Sequence, residues 1–276
     1  MRRRLWLGLA VAQIGSMVAA SAQTADELIA KNIEARGGLE KIQAVQSMRL
    51  TGTLSVGDAV MPSLLEVKRP NKTRLEFTFN GQTAVQAYDG TRAWAVVPFA
   101  GRAEPEQVSA EDSKDMELQA DMDGPLVNYR AKGHRVELMG LEKIADRDAW
   151  RLKVTLRNGD VRDVFLDLKT HLQIATVARR IVQGKPAEIE SKVGDYREVG
   201  GVLLPYSFET TARGVPQKQS VRFDKIELNV SIEDSRFRMP AAKKPAEAPQ
   251  PTPTPVTSPG PPPASRLTPA ETRSSR

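Results

Sequence analysis

The sequence predicts a mainly β protein, an antiparallel meander of about 12 strands with an N-terminal helix and one helical insert. Three observations predict it. Apolar and polar residues alternate with a period of two through most of residues 48–230, turn signals recur roughly every 10 to 15 residues, and successive strands lack helices between them. A βαβ array would show a helical rhythm between each pair of strands, and in the middle of the chain only Phe99 to Gly133 has one.

Not all of the 276 residues carry this pattern. Met1 to Ala22 begins with three arginines, continues in an apolar run from Leu5 to Ala12, and ends in Ala20-Ser21-Ala22. That is the grammar of a secretory signal cleaved before Gln23. The alternative is a membrane anchor, but Gln13, Gly15 and Ser16 interrupt the run well short of the about 20 residues that a span requires. The chain has no cysteine, hence no disulfide staples and no thiol to carry a lipid. The expectation is a soluble periplasmic protein that is not lipid-anchored. From Pro240 to Arg276, 11 of 37 residues are proline, the composition of a disordered, extended tail suited to reaching a partner in the envelope. Without the two ends, residues 23–239 hold 32 basic and 32 acidic side chains. The formal charge of +6 therefore belongs to the ends, and the folded part offers no footprint for nucleic acid.

Thr24-Ala25-Asp26-Glu27 is a capping box that starts a helix bearing Leu28, Ile29 and Ile33, which Gly37-Gly38 ends. A short turn from Leu39 to Val45 leads into the sheet. Met48, Leu50, Leu54 and Val56 alternate with Arg49, Thr51, Thr53 and Ser55, and Leu65 and Val67 continue in the next strand. Leu75, Phe77 and Phe79 point one way and Arg74, Glu76 and Thr78 the other, up to the hairpin signal Asn80-Gly81. Strands through Val85–Tyr88 and Trp94–Val97 follow. After the insert, alternation resumes at Val136 and Leu138, then at Trp150, Leu152, Val154 and Leu156, and in five further runs from Val164 to Val230.

In the insert, Ser109 is an N-cap with Asp112 three residues on, and Met116, Leu118, Ala120 and Met122 follow among acids. Asp123-Gly124-Pro125 starts a second, shorter helix carrying Leu126, Val127 and Tyr129. Glu104, Glu106, Glu111, Asp112, Asp115, Glu117, Asp121 and Asp123 read as its solvated side. A sheet of about 12 strands has more apolar face than two helical pieces can fill, since already about eight strands close around a side-chain-filled interior. The insert must bury its apolar side against the sheet, as plug or as lid. Two flattened sheets packed as a sandwich remain the alternative. Leu65, Leu75, Phe77, Phe79, Trp94 and Trp150 on strands, with Met116, Leu118, Met122 and Leu126 on the insert, are the candidate walls of a ligand cavity; methionine in particular suits a surface that accepts varied apolar partners. Taken singly, each is ordinary core.

No catalytic set emerges. His134 and His171 have no metal-spaced companion and read as strand-end or turn residues, and no nucleophile elbow, zinc-protease, P-loop or dinucleotide motif occurs. The expectation is a protein that is not an enzyme and needs no metal or cofactor.

The segments ADELIAKNIEARGGLEKIQAVQSMRLTGTL from Ala25, AYDGTRAW from Ala87, VFLDLKTHLQIA from Val164, VGGVLLPYSFET from Val199 and FDKIELNVSIEDSRFRMP from Phe223 together resemble the LolA/LolB-like superfamily, in particular outer membrane lipoprotein-sorting protein-like sequences. The resemblance implies an incomplete antiparallel β-barrel wrapped around a helical lid. It also implies a hydrophobic cavity that shelters the acyl chains of a lipid or lipoprotein, in a carrier without chemistry of its own. It implies an arginine on an early strand that latches the lid, and Arg49 and Arg74 are on early strands without either being assigned that role. A monomer is expected. The alternative function is an envelope interaction or stress-sensing module that uses the same fold and the Pro-rich tail.

Overall fold

A computed structural model describes residues 23–241 except 145, 183, 184 and 216. Residues 1–22, expected to be a secretory signal, and all but the first two residues of the Pro-rich tail lie outside the described residues. Thirteen strands build one antiparallel sheet. They are β1 (Ser47–Val56), β2 (Ala59–Lys68), β3 (Lys72–Phe79), β4 (Gln82–Tyr88), β5 (Ala93–Val97), β6 (Arg102–Gln107) and β7 (Arg135–Ile144). β8 (Arg147–Thr155), β9 (Val161–Asp167), β10 (Gln173–Val182), β11 (Lys185–Val199), β12 (Val202–Ala212) and β13 (Lys218–Leu228) complete it. The spatial order is β6-β5-β4-β3-β2-β1-β13-β12-β11-β10-β9-β8-β7. One unclosed sheet, with few helices, is the mainly β incomplete barrel expected, and it replaces the sandwich alternative.

This order has a topological consequence. β1 and β13 meet in the middle of the sheet, so the two edges, β6 and β7, are consecutive in the chain. The insert is the connection from one edge to the other, and a chain that makes that passage has to cross the face of the sheet. The expected strand count is exceeded by β6, which lies inside the stretch read as helical. Its sequence, RAEPEQ, has no large apolar residue on either face, so no hydrophobic period-2 signal marks it; its pairing to β5 (Trp94 opposite Gln107, Ala95 opposite Glu106) makes it a strand.

Local signals elsewhere are met. α1 (Ala25–Ala35) has the reciprocal capping box, with Glu27 N donating to Thr24 Oγ1 at 3.2 Å and Thr24 N donating to Glu27 Oε2 at 3.0 Å. Gly37 takes φ +111°, and a Cβ there would collide with the Gly201 carbonyl oxygen, so glycine is required where α1 turns into α2 (Leu39–Ala44) against the β11–β12 turn. Gly52 sits at a β1–β13 register shift, where any side chain would strike the Arg222 carbonyl. α3 (Ala110–Ala120) is capped by Ser109, whose Oγ accepts from Asp112 N at 3.0 Å. Beyond it, residues 121–134 form turns rather than the second helix expected. Gly124 (φ +79°), Asn128 (φ +52°) and Gly133 (φ +76°) are left-handed, which breaks any helical run after a few residues.

The three described α-helices all pack on one face, here called inner. Leu28 and Ile29 of α1, with Leu126 and Tyr129, pack on Leu152, Val154, Leu156, Val164 and Leu166 of the β8–β9 hairpin region. Ile42 and Val45, at α2 and its end, pack on Leu50, Leu204, Tyr206, Phe223 and Ile226. Met116 and Ala120 of α3 cover Tyr88 and Ala93. On the outer face the short 3-10 helix Asp234–Arg236 closes over β2–β5. There Glu66, 1% exposed, is paired with Arg49 (2.9 Å) and Arg236 (2.5 Å), and Trp94 Nε1 donates to the Phe237 carbonyl at 2.8 Å.

Candidate functional site

The insert is held to the sheet at one point by an arginine. Arg69, in the turn between β2 and β3, donates from Nη2 and Nη1 to the two carboxylate oxygens of Asp123 at 2.6 and 2.9 Å. Its remaining donors reach the carbonyls of Val45 (2.7 Å) and Ile42 (3.1 Å) at the end of α2. Arg36, at the end of α1, donates to the Asp123 carbonyl at 3.0 Å. One residue of the insert thus ties together α1, α2 and the β2–β3 turn. Asp123 is 7% exposed, so the expectation that it belongs to the solvated side of the insert is corrected: two arginines stabilise a buried carboxylate and its backbone. The Asp123 hydrogen bond raises the Arg69 pKa further, whereas burial lowers that of Arg36.

A second clasp lies beside the first. Lys132 Nζ donates to both Asp121 carboxylate oxygens (2.6 and 2.7 Å) and to the Gly124 carbonyl (2.8 Å), closing the turn segment on itself. The far end of the segment is tied to α1, where Tyr129 Oη (2.9 Å) and Arg130 Nη2 (2.7 Å) both donate to Asp26. Those hydrogen bonds, Arg130's above all, hold the Asp26 carboxyl below its ordinary range.

Arg49 and Arg74 play no part in this. Register places them on the outer face, where Arg49 pairs with Glu66, and Arg74 with Glu76 (2.7 Å) and the Arg236 carbonyl (2.8 Å). Sequence reading missed Arg69, Arg36 and Asp123. The Arg69-Pro70 turn was the available signal, because an arginine at a strand end can reach over the edge of a sheet as one in mid-strand cannot.

The candidate cavity residues fall into separate groups. Leu65, Leu75, Phe77 and Phe79 lie on the inner face of β2 and β3, each half-buried. Phe99, in the turn after β5, stands against two of them, with ring centroids 5.9 Å from Phe77 and 5.6 Å from Phe79, and it is 38% exposed. Met116 is buried beneath α3 against Tyr88, while Met122 packs against the α2 cluster. Leu118, Leu126 and Trp150 belong to the cluster around Leu152, and Trp150 Nε1 is buried there without a hydrogen-bond partner. Trp94 is not with them. It lies opposite Ala87, which lies opposite Arg74, so its indole is on the outer face beneath Phe237. The period-2 rule gave that parity within each strand; only the register between strands puts Trp94 and Phe77 on opposite sides.

No protein-family model matches the chain, and no curated protein sequence matches it. Solved structures do. A LolA superfamily protein from Nitrosomonas europaea superposes with a TM-score of 0.52 at 14% identity, covering 79% of this chain and 98% of the other. A putative outer membrane lipoprotein-sorting protein domain from Vibrio parahaemolyticus gives 0.50 at 11% identity, covering 76% and 97%. The chain has the LolA/LolB-like fold. Among the described residues, no group of three or more His, Asp or Glu side chains could hold a metal ion. None of the described helices is long and apolar enough to cross a membrane.

Proposed function

We propose that the protein is a carrier of the bacterial envelope that shelters acyl chains of a lipid or lipoprotein between the inner face of the sheet and residues 110–133, without catalysis. The observation that carries this reading is the strip of Leu65, Leu75, Phe77 and Phe79, with Phe99, on the inner face. Apolar side chains left half-buried, beside an insert held by Met116, Ala120 and Leu126 as well as by a few polar bonds, make a surface that an apolar ligand can complete. Each methylene it buries contributes about 0.8 kcal/mol, enough for useful affinity without specific polar contacts. Opening consists of releasing Asp123 from Arg69 and Arg36, which loosens α3 and the turn after it from the sheet while Leu126 and Tyr129 stay packed with α1. The lipoprotein-sorting description of a protein with the same fold supports the same reading. Delivery to the periplasm by the 1–22 leader, and function as a monomer, belong to this proposal.

The test is to purify the mature protein from a native-like host, extract it for mass spectrometry, and titrate the stripped protein with a fluorescent fatty acid. Co-purified lipid and saturable binding, weakened by Phe77→Ser, are expected. Lipid-free protein that also fails to bind the probe overturns the proposal.

A further inference from the structure

A cleft of about 270 Å³ opens where the two halves of the sheet and the insert meet. The β2–β3 turn, α3, the turn before β7 and the β8–β9 turn each contribute to its wall. Its rim carries Lys114, Lys132, His134 and Arg157, and its acids are Glu117 and Asp121. Both acids are already engaged, Asp121 by Lys132 at 2.6 Å and Glu117 by Arg157 at 3.7 Å. Lys114 has no ion-pair partner among the described residues. His134 Nδ1 accepts from the Arg157 backbone N–H at 3.1 Å, which leaves the proton of the neutral ring on Nε2 as a further donor. Burial, and then the charge of Lys132, push the His134 pKa below its ordinary value. Asp121 opposes them, and Arg157 and Arg162 act in the same sense as Lys132. The floor is apolar. Leu156 is 4% exposed and Leu118 packs against the same cluster, so the floor is the edge of the packing between insert and sheet.

We propose that this cleft takes the anionic head of an amphiphile, a carboxylate or phosphate, on Lys114, His134 and their neighbours, while its chain runs from the β2–β3 turn along α3 to the inner-face strip of Leu75, Phe77 and Phe79. The proposal rests on the acyl-chain reading above and adds the class of head that the carrier prefers. The head would lie against the β2–β3 turn that bears Arg69 and beside Asp121, two residues from Asp123. Its charge would then compete with Asp121 for Lys132, so that cargo and clasp share one set of cations.

The test compares oleate with oleyl alcohol, which has the same chain and a neutral head, in displacement of a fluorescent probe below the micellar concentration. Wild-type protein is expected to bind oleate at least tenfold more tightly than the alcohol. Lys114→Glu, an exposed substitution, should weaken oleate about tenfold and leave the alcohol unchanged. Oleate should also shift the His134 ring resonances, and the alcohol should not. Equal affinities in the wild type, or an unchanged ratio in Lys114→Glu, overturn the head-group assignment while leaving acyl binding intact. Failure of both amphiphiles to bind overturns the carrier reading itself. A third arm uses inorganic phosphate alone: it should neither displace the probe nor move His134, and binding comparable to that of oleate would make the cleft a site for free anions and overturn the lipid assignment.

Discussion

Arg69 and Asp123, 54 residues apart in sequence, meet through two hydrogen bonds of 2.6 and 2.9 Å. The pair joins the turn at the end of β2 to the segment that follows α3. The Arg69 side chain is 23% exposed and that of Asp123 is 9% exposed, so the pair is largely withdrawn from solvent. Removing one member would leave the other without its charge partner in a partly buried place.

Arg69→Leu should therefore destabilise the protein by less than the about 3–5 kcal/mol typical of a fully buried pair, because water can reach the site, and the loss should be concentrated in the insert. Hydrogen exchange would show it. Amides of residues 110–133 should lose protection by a larger factor than those of β8 and β9. A uniform loss across the sheet would instead make the pair an ordinary part of the core.

The outer face makes a separate prediction. Phe237 is 0% exposed and its carbonyl accepts from Trp94 Nε1. Phe237→Ala should cost about 3–5 kcal/mol in chemical denaturation and alter the Trp94 fluorescence of the folded state. Because this site lies on the face opposite the insert, fatty-acid affinity measured well below the unfolding transition should stay within about twofold of wild type.

Much of this architecture was legible in the sequence, and for physical reasons. Period-2 alternation with Gly and Asn turns records which face of each strand is apolar, so the β1 to β5 and β7 to β13 runs could be read directly. The capping box at Thr24 and the glycines at 37 and 38 are local and were equally plain. What was not legible is what depends on contacts distant in sequence. β6 has no large apolar residue on either face and exists because β5 offers it an edge. Trp94 was grouped with Phe77 because parity inside a strand says nothing about register between strands. Asp123 read as one more solvated acid, since only the folded chain brings Arg36 and Arg69 to it. The candidate site was legible as a set of apolar side chains and illegible as an arrangement.

Asp234 gives the pH dependence. Hydrogen bonds from Lys68 and Lys72, at 2.8 and 2.7 Å, lower its pKa from 3.8 to about 2. A carboxyl that holds its proton less tightly when folded favours the folded state at pH above the unfolded value, and the advantage is lost as pH falls from about 4 through about 2. Asp234→Asn should remove that part of the acid transition and leave thermal stability nearly independent of this site at pH 2. Since the pair is solvent-exposed, the difference should be small and should shrink further in 0.5 M salt, measured as Tm across pH 2 to 6 (Debye length below about 5 Å). An unaltered acid profile in the variant would show that the two lysines do not hold Asp234 in solution.

The last prediction separates binding from folding on the inner face. Leu126 is 3% exposed and packed among Leu28, Leu152 and Val164, so Leu126→Ala leaves a cavity in the core and should cost about 2–5 kcal/mol. Phe79 is half-buried at the end of β3, with Phe99 edge-on to it at 5.6 Å, and belongs to none of the buried clusters. Phe79→Ser should shift Tm by only about 2–4 °C, corresponding to about 1 kcal/mol in a domain of this size. If acyl chains lie along the strip, however, it should weaken fluorescent fatty-acid binding about tenfold, since it removes apolar area the ligand would cover and places a hydroxyl there. Fatty-acid titration and thermal melts on the two variants give opposite orders of severity under this account. Should Leu126→Ala impair binding more than Phe79→Ser at temperatures where both remain folded, the chains would run beneath the insert near α1 instead of along β3.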